Sequence, residues 1–329
     1  MGTRVVVTGG GGSIGAYLVR RLVQDGWDVA VVDTMLRGEA GRLAEVADDI
    51  ELFTCDVRDQ EALEGAFVGA EVVMHLAAIN GTENFYKRPE LVLDVGLRGA
   101  LAVVNAGRSA GVPDLVVASS AEVYQTPSVV PTPETVPLTL PDSLNPRYSY
   151  GGSKIATELI AFDYAQDHYR QVQVFRPHNI YGPDMGYKHV IPQFITRAAT
   201  ARDEMSAGPV PFDIQGDGTE TRAFCYVDDV VDGVLTMYQN GGHREIYHIG
   251  NDEEVSIRDL AARVAGVVGL DVEIRPTASA VGGTKRRCPD IGKMRRLGYC
   301  PAVNLDEGLK RTAAWYLDHH SDVVDNDLM

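Results

Sequence analysis

Residues 4–33 constrain what this chain can fold into more tightly than any other stretch. The β-branched run Arg4–Thr8 reads as a buried parallel strand, and four consecutive glycines, Gly9 to Gly12, follow it directly. Ser13, Ile14 and Gly15 then open a segment in which Ile14, Leu18 and Leu22 recur at helical spacing. The glycines therefore lie between a strand and a helix. Gly9, Gly12 and Gly15 fit Gly-x-x-Gly-x-x-Gly, in which glycine permits a tight turn and lets the backbone approach a pyrophosphate at the helix N-terminus. A second strand-like run, 28–33, ends in Asp33, 18 residues after Gly15 (33 − 15). A carboxylate there binds the ribose hydroxyls of NAD and repels a 2′-phosphate, while Arg37 keeps NADP open as a second choice.

Further strand-like runs at 51–54, 71–76, 114–119 and 172–176 continue the alternation, with helical patterns between most of them, notably at Pro89–Ala110 and 150–169. This order predicts an α/β fold: a doubly wound parallel sheet of the Rossmann type with a smaller C-terminal substrate-binding lobe. Residues 1–175 are expected to form the NAD-binding domain, with parts of about 213–248 returning to it, and 176–318 mainly the substrate lobe. The polar, acidic residues 319–329 read as a flexible tail. The proline-rich stretch 126–146 reads as a loop over the C-terminal edge of the sheet, where ligands bind in such folds.

The formal net charge of −16 argues against a nucleic-acid surface, which needs clustered Lys and Arg. Lys285, Arg286 and Arg287 are too few to reverse that and suit a small phosphorylated ligand instead. Cys55, Cys225, Cys288 and Cys300 are scattered, with no Cys-x-x-Cys pair and no metal-like cluster, so four reduced thiols and no metal are expected. No apolar run reaches membrane-spanning length, and the first strand starts too early for a signal peptide. The expectation is a cytoplasmic protein that binds neither membrane nor nucleic acid.

Chemistry enters with Tyr150-Gly151-Gly152-Ser153-Lys154. On a helix, a spacing of four puts the phenol and the ammonium on one face. A nearby ammonium favours the phenolate and brings tyrosine toward the range of a working base. Such a base suits removal of a hydroxyl proton from a carbon that gives up hydride to NAD.

With these residues in place, the chain resembles the extended short-chain dehydrogenase/reductase family, in particular its nucleotide-sugar epimerases and dehydratases. The likeness runs from Val5 to about Leu317. It is carried by the Gly9 to Gly15 loop, His75-Leu76-Ala77-Ala78, Ser119-Ser120-Ala121-Glu122-Val123-Tyr124, and Tyr150 with Lys154. Arg176-Pro177-His178-Asn179-Ile180-Tyr181-Gly182-Pro183, Gly216-Asp217-Gly218 leading to Thr221-Arg222, and Arg287-Cys288-Pro289-Asp290 complete it. The resemblance implies a catalytic base at Tyr150, a pKa-lowering and ribose-holding ammonium at Lys154, and a polarising hydroxyl at Ser120. It places the cofactor against Gly9, Gly12, Ser13, Ile14, Gly15, Asp33, Asp56, Val57, Leu76, Ala77 and Ala78. Asn179, Arg222 and Arg287 are the implied contacts to a nucleotide diphosphate. Asn80, in the segment 79–86 that offers hydroxyls, amides and rings, is a candidate sugar contact. A homodimer through the two long helices is implied as well. His75 reads as a packed residue rather than a base, whereas His178 sits beside the expected sugar pocket.

Two positions depart from the family pattern: Gly96, where Asn is usual, and Gln125, where Gly is usual. The trio of Ser120, Tyr150 and Lys154 implies oxidation at C4 of the sugar and a 4-keto intermediate. Glu122 separates the outcomes. In this family an acid there recurs in 4,6-dehydratases and UDP-glucuronate decarboxylases, while Ala121 stands where the dTDP-glucose type has Asp. C4 epimerisation asks least of the pocket and is the favoured expectation. A non-catalytic NAD-sensing protein on the same fold is the reading from another class, opposed by the intact trio.

Overall fold

The computed structural model describes residues 2–36, 40–165, 167–204, 208–278 and 284–319. Arg37 and residues 320–329, on which two of the expectations above fall, lie outside them. Seven parallel strands form the central sheet: β1 (Arg4–Thr8), β2 (Asp28–Val32), β3 (Ile50–Phe53), β4 (Val72–His75), β5 (Asp114–Ala118), β6 (Gln171–Pro177) and the strand Glu245–Ile249. Their order is Glu245–Ile249, β6, β5, β4, β1, β2, β3. Val5 faces Val29 of β2 on one side and Val72 of β4 on the other. Strand order reverses between β1 and β4, which opens a crevice at the C-terminal ends of these two strands.

Successive side chains on these strands point to opposite faces and are apolar on both, so both faces must be covered by helices. On one face Val5, Val7, Val29 and Val31 pack with Leu18 and Leu22 of helix α1 (Ser13–Gln24). On the other, Val6, Ala30, Val73 and Leu115 pack with Leu63 of α2 (Gln60–Ala66). The short α3 (Thr82–Lys87) leads into α4 (Pro89–Ala110), whose Val103 and Ala106 join that second core. The helix α5 (Ser149–Leu159) lies against α4. The result is a doubly wound α/β sheet of the Rossmann type.

Beyond β6, α6 (Val190–Glu204), α8 (Ile257–Val268) and the helix Leu305–Asp318 enclose a separate core that includes Phe194, Phe212, Leu260, Leu309 and Tyr316. The strands Val210–Gln215 and Val272–Thr277 pair beside it. Between α6 and α8 the chain returns to the main sheet: α7 (Val227–Asn240) sends Val230 and Val234 into the first core, and Glu245–Ile249 pairs with β6.

One helix differs from its sequence pattern. The periodicity of 150–169 suggests a continuous α-helix, but α5 ends at Leu159 and Ile160–Tyr164 form a π turn, closed by Ala165 N–H donating to Ile160 O at 3.1 Å. Apolar residues continue through Ile160 and Phe162, so nothing in the pattern marks the extra residue in the turn. All four cysteines are free. No helix among the described residues is long and apolar enough to cross a membrane.

Candidate active site

The crevice between β1 and β4 is built from backbone. Gly9 adopts φ +75°, and a Cβ there would come within 2.7 Å of the Ala77 nitrogen, on the chain leaving β4. A Cβ on Gly15 would run into the Gly9 carbonyl. The loop thus closes tightly on itself and presents the first turn of α1, capped only by Gly12 and with no acidic side chain. The free N–H groups of such a turn, with the helix dipole behind them, make an anion site. Thr8 Oγ1 and His75 Nδ1 meet at 2.7 Å beneath the loop, and burial drives the imidazole pKa down to about 3, so His75 is a neutral strut.

The Asp33 carboxylate accepts from Gly11 N–H and Met35 N–H, each at 2.9 Å, which fixes it at the rim of the glycine loop. Asp56 is held by Arg58, whose guanidinium lowers its pKa and also reaches Asp94 of α4. Val57 packs so close to α4 that a Cβ on Gly99 would lie 2.9 Å from its Cγ2.

Gly9, Gly12, Ser13, Ile14, Gly15, Asp33, Asp56, Val57, Leu76, Ala77, Ala78, Asn80, Tyr150 and Lys154 all line one cleft of about 440 Å³. That size suits a bound cofactor. With a pyrophosphate cradle that side chains would fill and a carboxylate at ribose distance from it along the chain, the residues present fit NAD.

Tyr150 and Lys154 stand one turn apart on α5 at the far end of this cleft. Tyr150 stacks on Phe85 of α3, ring centroids 5.1 Å apart. Lys154 is 4% exposed, donates from Nζ to Ala118 O at 2.7 Å, and sits 5.8 Å from the Tyr150 ring centroid. Burial pushes its pKa down to about 8, against a smaller opposing pull from Glu158. It therefore remains an ammonium at neutral pH, close enough to favour a phenolate at Tyr150. Glu158 continues the same helical face. It accepts from Ser119 Oγ and from Arg176 Nε at 2.8 Å, and Arg176 in turn donates to the Tyr124 hydroxyl. Tyr124 also meets His248 Nε2 at 2.6 Å. This buried chain clamps the ends of β5 and β6 beneath the site.

Ser120, Glu122, Asn179, Arg222 and Arg287 do not line the cofactor cleft. Ser120, Glu122, Arg222 and Arg287 group in a second cluster, whose turn at 121–123 packs on α5. Ser120 Oγ caps the short turn Ala121–Val123 by accepting Glu122 N–H at 3.1 Å. Arg287 Nη1 donates to Glu122 Oε1 at 2.6 Å. Arg222 donates to the carbonyls of Thr221 and Thr284, both at 2.7 Å, and burial together with nearby Arg287 lowers its pKa. Asn179, at φ +44°, donates to Ala223 O at 2.9 Å. His178 is buried with its ring 4.6 Å from His248, and neither ring nitrogen has a hydrogen-bond partner among the described residues. Burial first, then His248 and Arg287, keep it neutral.

One of the two departures has a visible cause. A Cβ on Gly96 would lie 2.8 Å from Ser153 Cβ, so the helices α4 and α5 approach too closely there for the family's Asn. Gln125 takes φ +53°, a backbone state costing a non-glycine residue about 1–2 kcal/mol.

Sequence reasoning missed the strap at 183–189. Arg42 grips Asp184 with two bonds of 2.7 Å, while Tyr316 Oη accepts Met185 N–H at 3.0 Å and donates to Gly186 O at 2.8 Å. Arg42, Met185, Gly186 and His189 line the cofactor cleft, so the strap ties both lobes across it.

Comparison with known proteins places this site in context. The profile described as "NAD dependent epimerase/dehydratase family" matches residues 5–250. A UDP-glucose 4-epimerase of Mycolicibacterium smegmatis is 32% identical over 322 residues, covering 95% of this chain and 98% of that protein. The UDP-glucuronic acid decarboxylase 1 of Xenopus tropicalis is 29% identical over 324 residues, 97% of this chain and 74% of that protein. Among solved structures, the dTDP-glucose 4,6-dehydratase DesIV of Streptomyces venezuelae, with NAD and TYD bound, superposes with a TM-score of 0.85. It is 29% identical, over 97% of this chain and 98% of that one.

Proposed function

From the premise that the chain belongs to the NAD-dependent epimerase/dehydratase family and takes NAD as its cofactor, we propose that it epimerises a nucleotide-diphosphate sugar at C4. NAD, held by the Gly9 to Gly15 loop, Asp33 and Lys154, would supply reversible hydride exchange at C4. Tyr150 takes the C4 hydroxyl proton and later gives it back, with the Lys154 ammonium one helical turn away to stabilise the negative charge that forms. We assign Ser120, next in the chain to the cleft-lining Ser119, to the reacting oxygen. Arg222 and Arg287, two guanidiniums close enough to affect one another, supply the charge for a diphosphate, with Asn179 beside them.

The observation that carries the choice of reaction is the 2.6 Å ion pair between Glu122 and Arg287. A 4,6-dehydratase needs a base at C5 and an acid for the departing C6 hydroxyl beyond Tyr150, a role for which Glu122 is the candidate, while a decarboxylase needs a C6 carboxylate and a pocket that tolerates it. Engaged with Arg287, Glu122 supports binding, and C4 chemistry at Tyr150 suffices for epimerisation. A homodimer through α4 and α5 belongs to the same proposal, because Leu93, Leu159 and Tyr164 are exposed there.

A panel of UDP-, GDP-, CDP- and dTDP-sugars, including UDP-glucuronate, followed by NMR of the products, tests the reading. The expected product is a C4-inverted sugar, abolished by Tyr150→Phe and largely retained by Glu122→Gln. A 6-deoxy-4-keto sugar or released carbon dioxide would overturn it.

A further inference from the structure

Gln125 combines strain with an unusual set of contacts. Its backbone sits at φ +53°, where glycine would rest without cost, yet its side chain is buried. Nε2 donates to Glu122 O at 2.5 Å. The amide also lies against the first turn of α5, where a Cβ on Gly151 would come within 2.8 Å of Nε2. The Gln125 carbonyl accepts Thr284 Oγ1 at 3.3 Å, from the segment that leads to Arg287. Arg287 closes the path by donating to the Glu122 carboxylate at 2.6 Å.

These bonds form a circuit beside Tyr150: Gln125 to the Glu122 main chain, the Glu122 side chain to Arg287, and 284–287 back to Gln125. We infer that Gln125 is a positioning residue that sets Glu122 and Arg287 relative to Tyr150 and so selects which nucleotide sugar is accepted. Its ligand rests on the reading under Proposed function, whereas the circuit does not. A strained residue kept beside a reactive group, where glycine would remove the strain, points to function rather than to packing. A glycine would lose the donor to the Glu122 carbonyl and the side chain that packs on the first turn of α5. A glutamate would keep the volume and lose the N–H.

The experiment compares wild type with Gln125→Gly and Gln125→Glu. For Gln125→Gly we expect a melting temperature no lower than wild type and undiminished NAD content. Amide hydrogen exchange at 121–125 and 284–287 should quicken by about tenfold, the equivalent of one hydrogen bond. KM for the nucleotide sugar should rise by about tenfold with kcat within about twofold, and Gln125→Glu should follow it. Unchanged exchange at both segments refutes the circuit. Faster exchange with an unchanged KM refutes the positioning role. If wild type turns over no nucleotide sugar while the exchange contrast holds, the functional reading falls and the circuit stands.

Discussion

Replacing Lys154 by Met should make the NAD-free protein more stable while abolishing turnover. The wild-type ammonium is buried, and its pKa stands at about 8 against an ordinary 10.5. At about 1.36 kcal/mol per pH unit, keeping that charge inside costs the folded state about 3 kcal/mol well below pH 8. Met fills a similar volume without charge but leaves the Ala118 carbonyl without its Nζ donor, a loss of about 1 kcal/mol. The net gain at pH 7 is about 2 kcal/mol. With an unfolding entropy of about 2.1 cal/mol/K per residue, this chain should melt about 3 °C higher.

The sign of the pH dependence follows from the depressed value. Between pH 8 and 10.5 the unfolded chain holds the Lys154 proton more firmly than the folded one, so wild-type stability climbs through that window relative to the variant. By about pH 9.5 the remaining cost, about 1 kcal/mol, matches the carbonyl penalty, and the two proteins should unfold alike. Denaturant unfolding of NAD-stripped protein at pH 7 and 9.5 measures this. A variant no more stable than wild type at pH 7, or a difference that does not move with pH, would show that Lys154 is not held as a costly buried charge.

Three further outcomes are expected. Gly96→Asn should cost about 1–3 kcal/mol in thermal denaturation, because its Cβ would press on Ser153 at 2.8 Å; an unchanged midpoint would mean that α4 and α5 separate freely. Arg176→Met should cost about 3–5 kcal/mol by leaving Glu158 buried without its partner, and adding Glu158→Gln should recover part of that in the same unfolding assay. Asp184→Asn should hasten NAD release by about tenfold in a fluorescence-followed displacement, since it breaks the clasp that Arg42 makes across the cleft; an unchanged rate would reduce the strap to a surface contact.

That Gly9, Gly15 and Asp33 share one cleft was legible because the cleft is written in backbone. Gly9 and Gly15 are spaced by what a turn sterically permits, and Asp33 directly follows β2. Local spacing and local structure coincide there, so reading one reads the other. The strap was not legible, because Arg42 and Asp184 lie 142 residues apart and neither stands in a pattern. Arg222 could be seen as a charge, but not that the Thr221 and Thr284 carbonyls occupy its guanidinium. Glu158 was within reach: Tyr150, Lys154 and Glu158 repeat every four residues, and the third member of a helical face is as visible as the second. The π turn after Leu159 left no trace, since an inserted residue in a helix changes hydrogen bonds without interrupting an apolar run.

Lys154 and Gln125, both near Tyr150, break ordinary rules, one by burying a charge and the other by straining a backbone. Neither cost is offset by its own contacts. Among the described residues the Ala118 carbonyl is the one hydrogen-bond acceptor for a whole ammonium, and one amide bond to Glu122 does not require an unfavourable φ. Stability comes instead from the sheet cores and from the Arg176–Glu158 clamp beneath the site, which hold α5 in place whatever its N-terminal turn would prefer. Burial is also what gives the ammonium its influence, because the same low polarity that makes the charge expensive strengthens its field at the phenol. Local rules fail here where the chemistry needs them to fail.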